Sequence, residues 1–176
     1  MRRVEAGGRI LAVVLRDVRL VLVALWLGGA VFFGAAVAPS AFAVLRERGA
    51  TSAGELAGSI VTRTLSIVNL TGFALGLVLL ATAFLFTRAV TRRAIYAETV
   101  SLALVAIATA AGHWIINARL LALRLAMKKP IDEVPQNDPL RTAFNNLHGY
   151  SVLALGVATV CAAVALLLIA RRARTD

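Results

Sequence analysis

Four stretches of this chain contain no Lys, Arg, Asp or Glu: Leu20–Leu45, Thr64–Thr87, Thr99–Ala118 and Leu147–Ala170. About 20 helical residues cross roughly 30 Å of hydrocarbon at a rise of about 1.5 Å each. Each run is therefore long enough to span a membrane. Charged residues gather between the runs. The pattern predicts one all-α domain over residues 1–176, a membrane-embedded antiparallel four-helix bundle. Residues 1–19, with Arg2, Arg3, Arg9, Arg16 and Arg19 around the apolar Ile10–Leu15, read as a basic tail forming a short interfacial helix. Pro39 is expected to kink or end the first helix near its far side. Within 46–63, Leu56, Ile60 and Val61 fall at helical spacing and predict a short amphipathic turn. The third helix should continue beyond the bilayer through Arg119, Arg124 and Met127, because nothing breaks it before Lys128-Lys129-Pro130. Asp138-Pro139 has the form of an N-cap followed by a first-turn proline. The fourth helix should start there and enter the membrane near Leu147.

Composition agrees with this reading. The chain is 60% hydrophobic and 16% charged, with a mean hydropathy of +0.83. A soluble fold of this length could not bury so much apolar surface. Ala41-Phe42-Ala43 resembles a signal-peptidase site, but the run containing it greatly exceeds the roughly 7–15 residues of a signal core, so retention is expected. Cys161, the only cysteine, excludes an intrachain disulfide and a cysteine metal cluster. The net charge of +10 sits at the ends of apolar runs rather than along a polar face, and no nucleic-acid motif accompanies it. Its expected partners are the bilayer and anionic lipid head groups at the basic termini. Four spans put both termini on one side. That side, with the 88–98 link, carries eleven Lys and Arg residues in short segments, against eight on the other. The positive-inside rule then makes both termini cytoplasmic.

Polar residues within the runs recur at one height. Asn69 lies about five residues into the second span, roughly 7 Å deep at the helical rise. His113 lies at a similar depth on the third, with Asn117 one turn further out at i, i+4. Asn145, Asn146, His148 and Ser151 stand where the fourth helix enters. Arg119 and Arg124 sit at the outer rim, where attraction of anions or snorkelling to head groups is open to them. Polar groups in lipid are costly unless paired, so this cluster should face the bundle interior. It reads either as interhelical packing or as an outward-facing pocket for a ligand or ion. The inner half is almost purely aliphatic, and no Asp or Glu falls within the expected spans. A pump built on an intramembrane carboxylate is thereby disfavoured.

Hydrolytic or transfer chemistry finds little support: there is no nucleophile elbow, no Gly-rich phosphate loop and no pair of intramembrane carboxylates. His148 and Ser151 are near one face by helix geometry, with no third group to make a triad. The leading reading is a non-enzymatic membrane protein aiding transport or tolerance of a small solute or metal, with no cofactor. One alternative is a haem- or copper-binding protein using His113 and His148, the only histidines, on neighbouring helices. Another is a structural subunit. Ala30, Gly34 and Ala38 on the first span and Gly72-x-x-x-Gly76 on the second would then be docking faces for a second copy or a membrane partner.

Leu25-Trp26-Leu27-Gly28-Gly29, Phe32-Phe33 and Ala38-Pro39-Ser40-Ala41-Phe42 open the first span. Asn117-x-Arg119 ends the third, and Phe144-x-x-Leu147-His148-Gly149-x-Ser151 enters the fourth. These elements resemble the transmembrane-protein-205-like family, whose bacterial members carry domain of unknown function 4149. The likeness covers most of residues 17–170, and the His-Gly-x-Ser element is its more specific part. It implies a four-helix integral protein of a bacterial inner membrane. The eukaryotic relative is associated with tolerance to platinum drugs, and a more distant likeness is to copper-resistance membrane domains.

Overall fold

The computed structural model describes residues 2–83 and 92–172. The Thr87 end of the second expected span, Arg88 in the link and Arg174 in the C-terminal tail lie outside them. The described residues form helices and no strand. In chain order these are α1 (Arg2–Phe32), α2 (Ala38–Glu47), α3 (Ala53–Ala83), α4 (Arg92–Ala110), α5 (Asn117–Met127) and α6 (Pro139–Arg172). Wide π-type turns at Phe33–Val37 and Ala111–Ile116 fuse α1 to α2 and α4 to α5. Four continuous rods result, each long and apolar enough to cross a membrane. Around the bundle they follow the cyclic order α1, α3, α4, α6, with α4 packed between α3 and α6. One end carries the α2–α3 and α5–α6 connections and is called the loop end.

The first rod differs from the sequence reading at its start, and of the two outcomes expected at Pro39 the helix does not take the ending. The helix starts at Arg2 and runs unbroken into the apolar stretch, so no separate interfacial helix precedes the span. Nor does Pro39 end it. Proline lacks an N–H, and its ring excludes the carbonyl four residues back. The wide turn just upstream absorbs both effects: the Ala38 N–H reaches the Phe33 carbonyl five residues back, and helix resumes through Glu47. The 53–63 segment is likewise the first turns of α3 rather than a separate amphipathic turn.

The far ends behave as local chemistry dictates. α5 runs to Met127 and stops at Lys128, whose φ of 54° is left-handed, before Pro130. α6 begins at Pro139. The Asp138 carboxylate accepts from the N–H groups of Leu140 at 2.7 Å and Arg141 at 3.4 Å. Asp138→Ala should therefore lower unfolding free energy in detergent by about 0.5–2 kcal/mol, while Asp138→Asn should hold it near wild type.

Two apolar clusters fill the bundle. The larger contains Val23, Trp26, Leu79, Leu102, Val105, Ala162 and Ile169. A smaller one at the loop end contains Leu120, Met127, Val134 and Phe144. Close approach of α3 and α4 depends on the pair Gly72 and Gly76. A Cβ on Gly72 would stand 2.6 Å from the Trp26 ring and 2.8 Å from Thr109 Cγ2, and one on Gly76 would stand 2.9 Å from Ala106 Cβ. The predicted small face of the first helix is only partly used: Ala30 is buried, but a Cβ on Gly34 would meet nothing within 4 Å.

Candidate functional site

Between the two apolar clusters the bundle changes character. Asn69, from the middle of α3, is 4% exposed, and Ser151, from α6, is equally buried. With Ser66 of α3, Gly112 and Asn117 from the second wide turn and its end, and His148 of α6, they line a cavity of about 20 Å³. Only about 10–15 Å³ is needed to seat one water-sized species. The wide turn shapes this chamber. The Asn117 N–H bonds the Gly112 carbonyl, five residues back, which shifts the helix phase between His113 and Asn117. Gly112 is needed there, since a Cβ would come within 2.7 Å of Asn69 Nδ2. Asn69, Asn117 and Ser151 make no side-chain hydrogen bond to any described residue. For a side chain as buried as Asn69 that is costly, unless something else in the chamber supplies the partner.

The other expected members are placed differently. His113 does not line the chamber: its Nδ1 lies 3.2 Å from Ser66 Oγ and its ring stands edge-on to Trp114, 4.8 Å between centroids. The shared face expected for His113 and Asn117 is thus split by the wide turn. His148 is exposed on α6 while also lining the chamber. Asn145, Asn146 and Arg119 are exposed and outside its lining. Among the described residues no group of three or more His, Cys, Asp or Glu could hold a metal ion. The Ser66 contact engages Nδ1 of His113 and leaves its Nε2 as the ring atom that could ligate.

Arg124 makes its polar contacts within the protein. Its Nε lies 3.4 Å from Glu55 Oε1, its Nη1 donates to Ser59 Oγ at 3.3 Å, and the guanidinium covers the Phe144 ring at 5.5 Å. Glu55 Oε2 in turn accepts from the Ile131 N–H at 3.3 Å, and Asp132 accepts from the Glu55 N–H at 3.1 Å. These contacts clasp the 128–138 connection to the start of α3, beside the chamber.

Sequence reasoning missed a charged pair at the opposite end. Arg19 and Glu98 are 2% and 0% exposed, and Arg19 Nη2 lies 2.6 Å from Glu98 Oε1. Arg19 also donates to the carbonyls of Leu79 at 3.2 Å and Thr82 at 3.3 Å. An expected third span beginning at Thr99 left Glu98 in a link, and no buried carboxylate was foreseen. The helix begins earlier, at Arg92, and Glu98 lies inside the bundle. A signal was present: Glu98, Leu102, Val105, Thr109 and Gly112 follow one helical stripe, and all are buried.

Four apolar rods, three of which line a small chamber bordered by Asn69, Asn117, His148 and Ser151, with ion pairs at both ends, define a multi-pass integral membrane protein. Residues 21–129 match the sequence profile of the family described as domain of unknown function (DUF4149), and the chain belongs to that family. The match ends before α6, so His148-Gly149-x-Ser151 falls outside it. No curated protein and no solved structure matches the chain.

Proposed function

We propose that this is a non-enzymatic membrane protein whose polar chamber receives a small polar species, and that it aids transport or tolerance of a small solute or metal ion. The observation that carries the reading is Asn69. It is 4% exposed, it lacks a protein partner among the described residues, and it borders a cavity with Asn117, Ser151 and His148. Buried amides normally have a hydrogen-bond partner, in the protein or in ordered water, and the chamber beside Asn69 has room for a non-protein one. At about 20 Å³ the chamber seats a single water or a bare ion in this conformation, so a larger solute would need the helices to part. The positive-inside count supports a reading in which both termini are cytoplasmic in a bacterial inner membrane and the chamber lies in the outer leaflet.

Asn69→Leu provides the test, because leucine keeps the volume and removes the amide. The variant should retain wild-type thermal stability in detergent, or gain some. It should also fail to restore growth of a deletion strain on the challenge that exposes its defect, drawn from a panel of transition-metal salts and small organic solutes. Full complementation by a stable Asn69→Leu protein would leave the cluster a packing device and remove the proposal.

A further inference from the structure

The groups that line the polar chamber do not themselves choose the charge of an occupant. The amides of Asn69 and Asn117, the Ser151 hydroxyl and the His148 ring can each turn either a donor or an acceptor toward it. The Ser66 hydroxyl is already 3.2 Å from His113 Nδ1. No Asp, Glu, Lys or Arg lines the space. The sign of the field is therefore set by charges just behind the lining. Arg63 adjoins Thr62 on α3, and Arg119 and Arg124 stand on either side of Leu120 on α5. No Asp or Glu lies within one turn of a lining position on the same helix. Arg63 and Arg119 are exposed. Arg124 is packed against Gly58 and over the Phe144 ring, one turn before His148, and its charge acts on that imidazole. Glu55 offsets part of this charge, but from more than one turn ahead of Val61, the first lining position of α3.

Among apolar rods such a field is weakly screened. A metal cation entering the chamber would shed its hydration shell, meet positive potential and find no anionic ligand. An anion would meet the same potential favourably. It would also turn the amide, hydroxyl and imidazole groups into donors, and bonds to an ionised acceptor are roughly twice as strong as neutral ones. Room for about one water suits a dehydrated monatomic ion.

We propose that the chamber binds a small monovalent anion of the halide class, held by hydrogen bonds from Asn69, Asn117, Ser151 and His148, and not a metal cation. This rests on the chamber's being a binding site, as proposed above, and chooses between the solute and the metal ion named there.

Purified protein in detergent would be titrated with sodium chloride while the chloride NMR linewidth is recorded. Surface arginines broaden the line in every variant, so Asn69→Leu, which keeps them all, is the reference. Wild type should broaden the line about threefold more than Asn69→Leu, and sodium bromide should remove the excess where sodium gluconate does not. Ser151→Ala should also lose the excess, and it serves as the reference if Asn69→Leu does not fold. In equilibrium dialysis against copper or zinc chloride, wild type should retain no more metal than Asn69→Leu. Equal broadening by wild type, Asn69→Leu and Ser151→Ala would overturn the anion. If Asn69→Leu then still failed to restore growth, the chamber would remain a site for another occupant. One copper or zinc ion held per wild-type chain and lost in Asn69→Leu would overturn the anion in favour of a cation.

Discussion

Glu98→Ala should destabilise the protein by about 3–5 kcal/mol, the largest effect expected of any single substitution here. Arg19 is 2% exposed and has its guanidinium 2.6 Å from Glu98, so removing the carboxylate takes a negative charge away from a cation buried in the bundle. The carbonyls of Leu79 and Thr82 still accept from Arg19, but as dipoles they stabilise it less than a carboxylate does. The pair ties α1 to α4, and the two carbonyl bonds tie α1 to α3, so the loss should be felt by three rods at once. Denaturant unfolding in mixed micelles measures it. The double variant Arg19→Met, Glu98→Leu should cost far less than the two single changes together, because two charges leave with their desolvation penalties. A pair on the same helix provides the contrast. Arg16 and Asp17 also lie 2.9 Å apart, but Asp17 is 57% exposed, and Asp17→Asn should change stability by less than about 1 kcal/mol. Additive effects in the Arg19–Glu98 cycle would show that the pair is not coupled as its geometry requires.

Gly76→Leu should rank second, at about 1–3 kcal/mol or more. A Cβ on Gly76 would lie 3.2 Å from both the N and Cα of Ala106, and backbone cannot swing aside as a side chain can. The α3–α4 contact would have to open along its length, which also moves Asn69 relative to Gly112 and deforms the chamber. Gly28→Ala is the informative comparison, since a Cβ there meets nothing within 4 Å. That substitution replaces a helix-interior glycine at no packing cost, so it should leave stability unchanged or raise it by up to about 1 kcal/mol. Unfolding midpoints of both variants in one detergent check the sign as well as the size. Comparable losses at the two positions would mean that close packing at Gly76 is not what holds these helices together.

The candidate site was partly legible because the cost of burying a polar group does not depend on its surroundings in detail. Asn69, Asn117, His148 and Ser151 interrupt apolar runs at a common height, and the fold gathers those four. Asn145, Asn146 and Arg119 share that height but not the direction, and they face outward. His113 was displaced from the group by a turn that takes one residue more than an α-turn. No run of residue types announces such a turn, whereas Pro39 does signal irregularity near its own wide turn.

The chain by itself determined that there are four lipid-facing rods, where α5 stops and α6 starts, and which residues break the apolar runs. These follow from the transfer cost of charge, from helical rise and from capping chemistry, all local to a segment. Tertiary structure alone decided the rest. It turned Gly72 and Gly76, rather than Gly34, into contact points, paired Arg19 with Glu98 across 79 positions of sequence, and left Asn69 facing a space instead of a partner. Each of these depends on the rotation of one helix against its neighbour, which is set by how whole faces interlock and by no single segment.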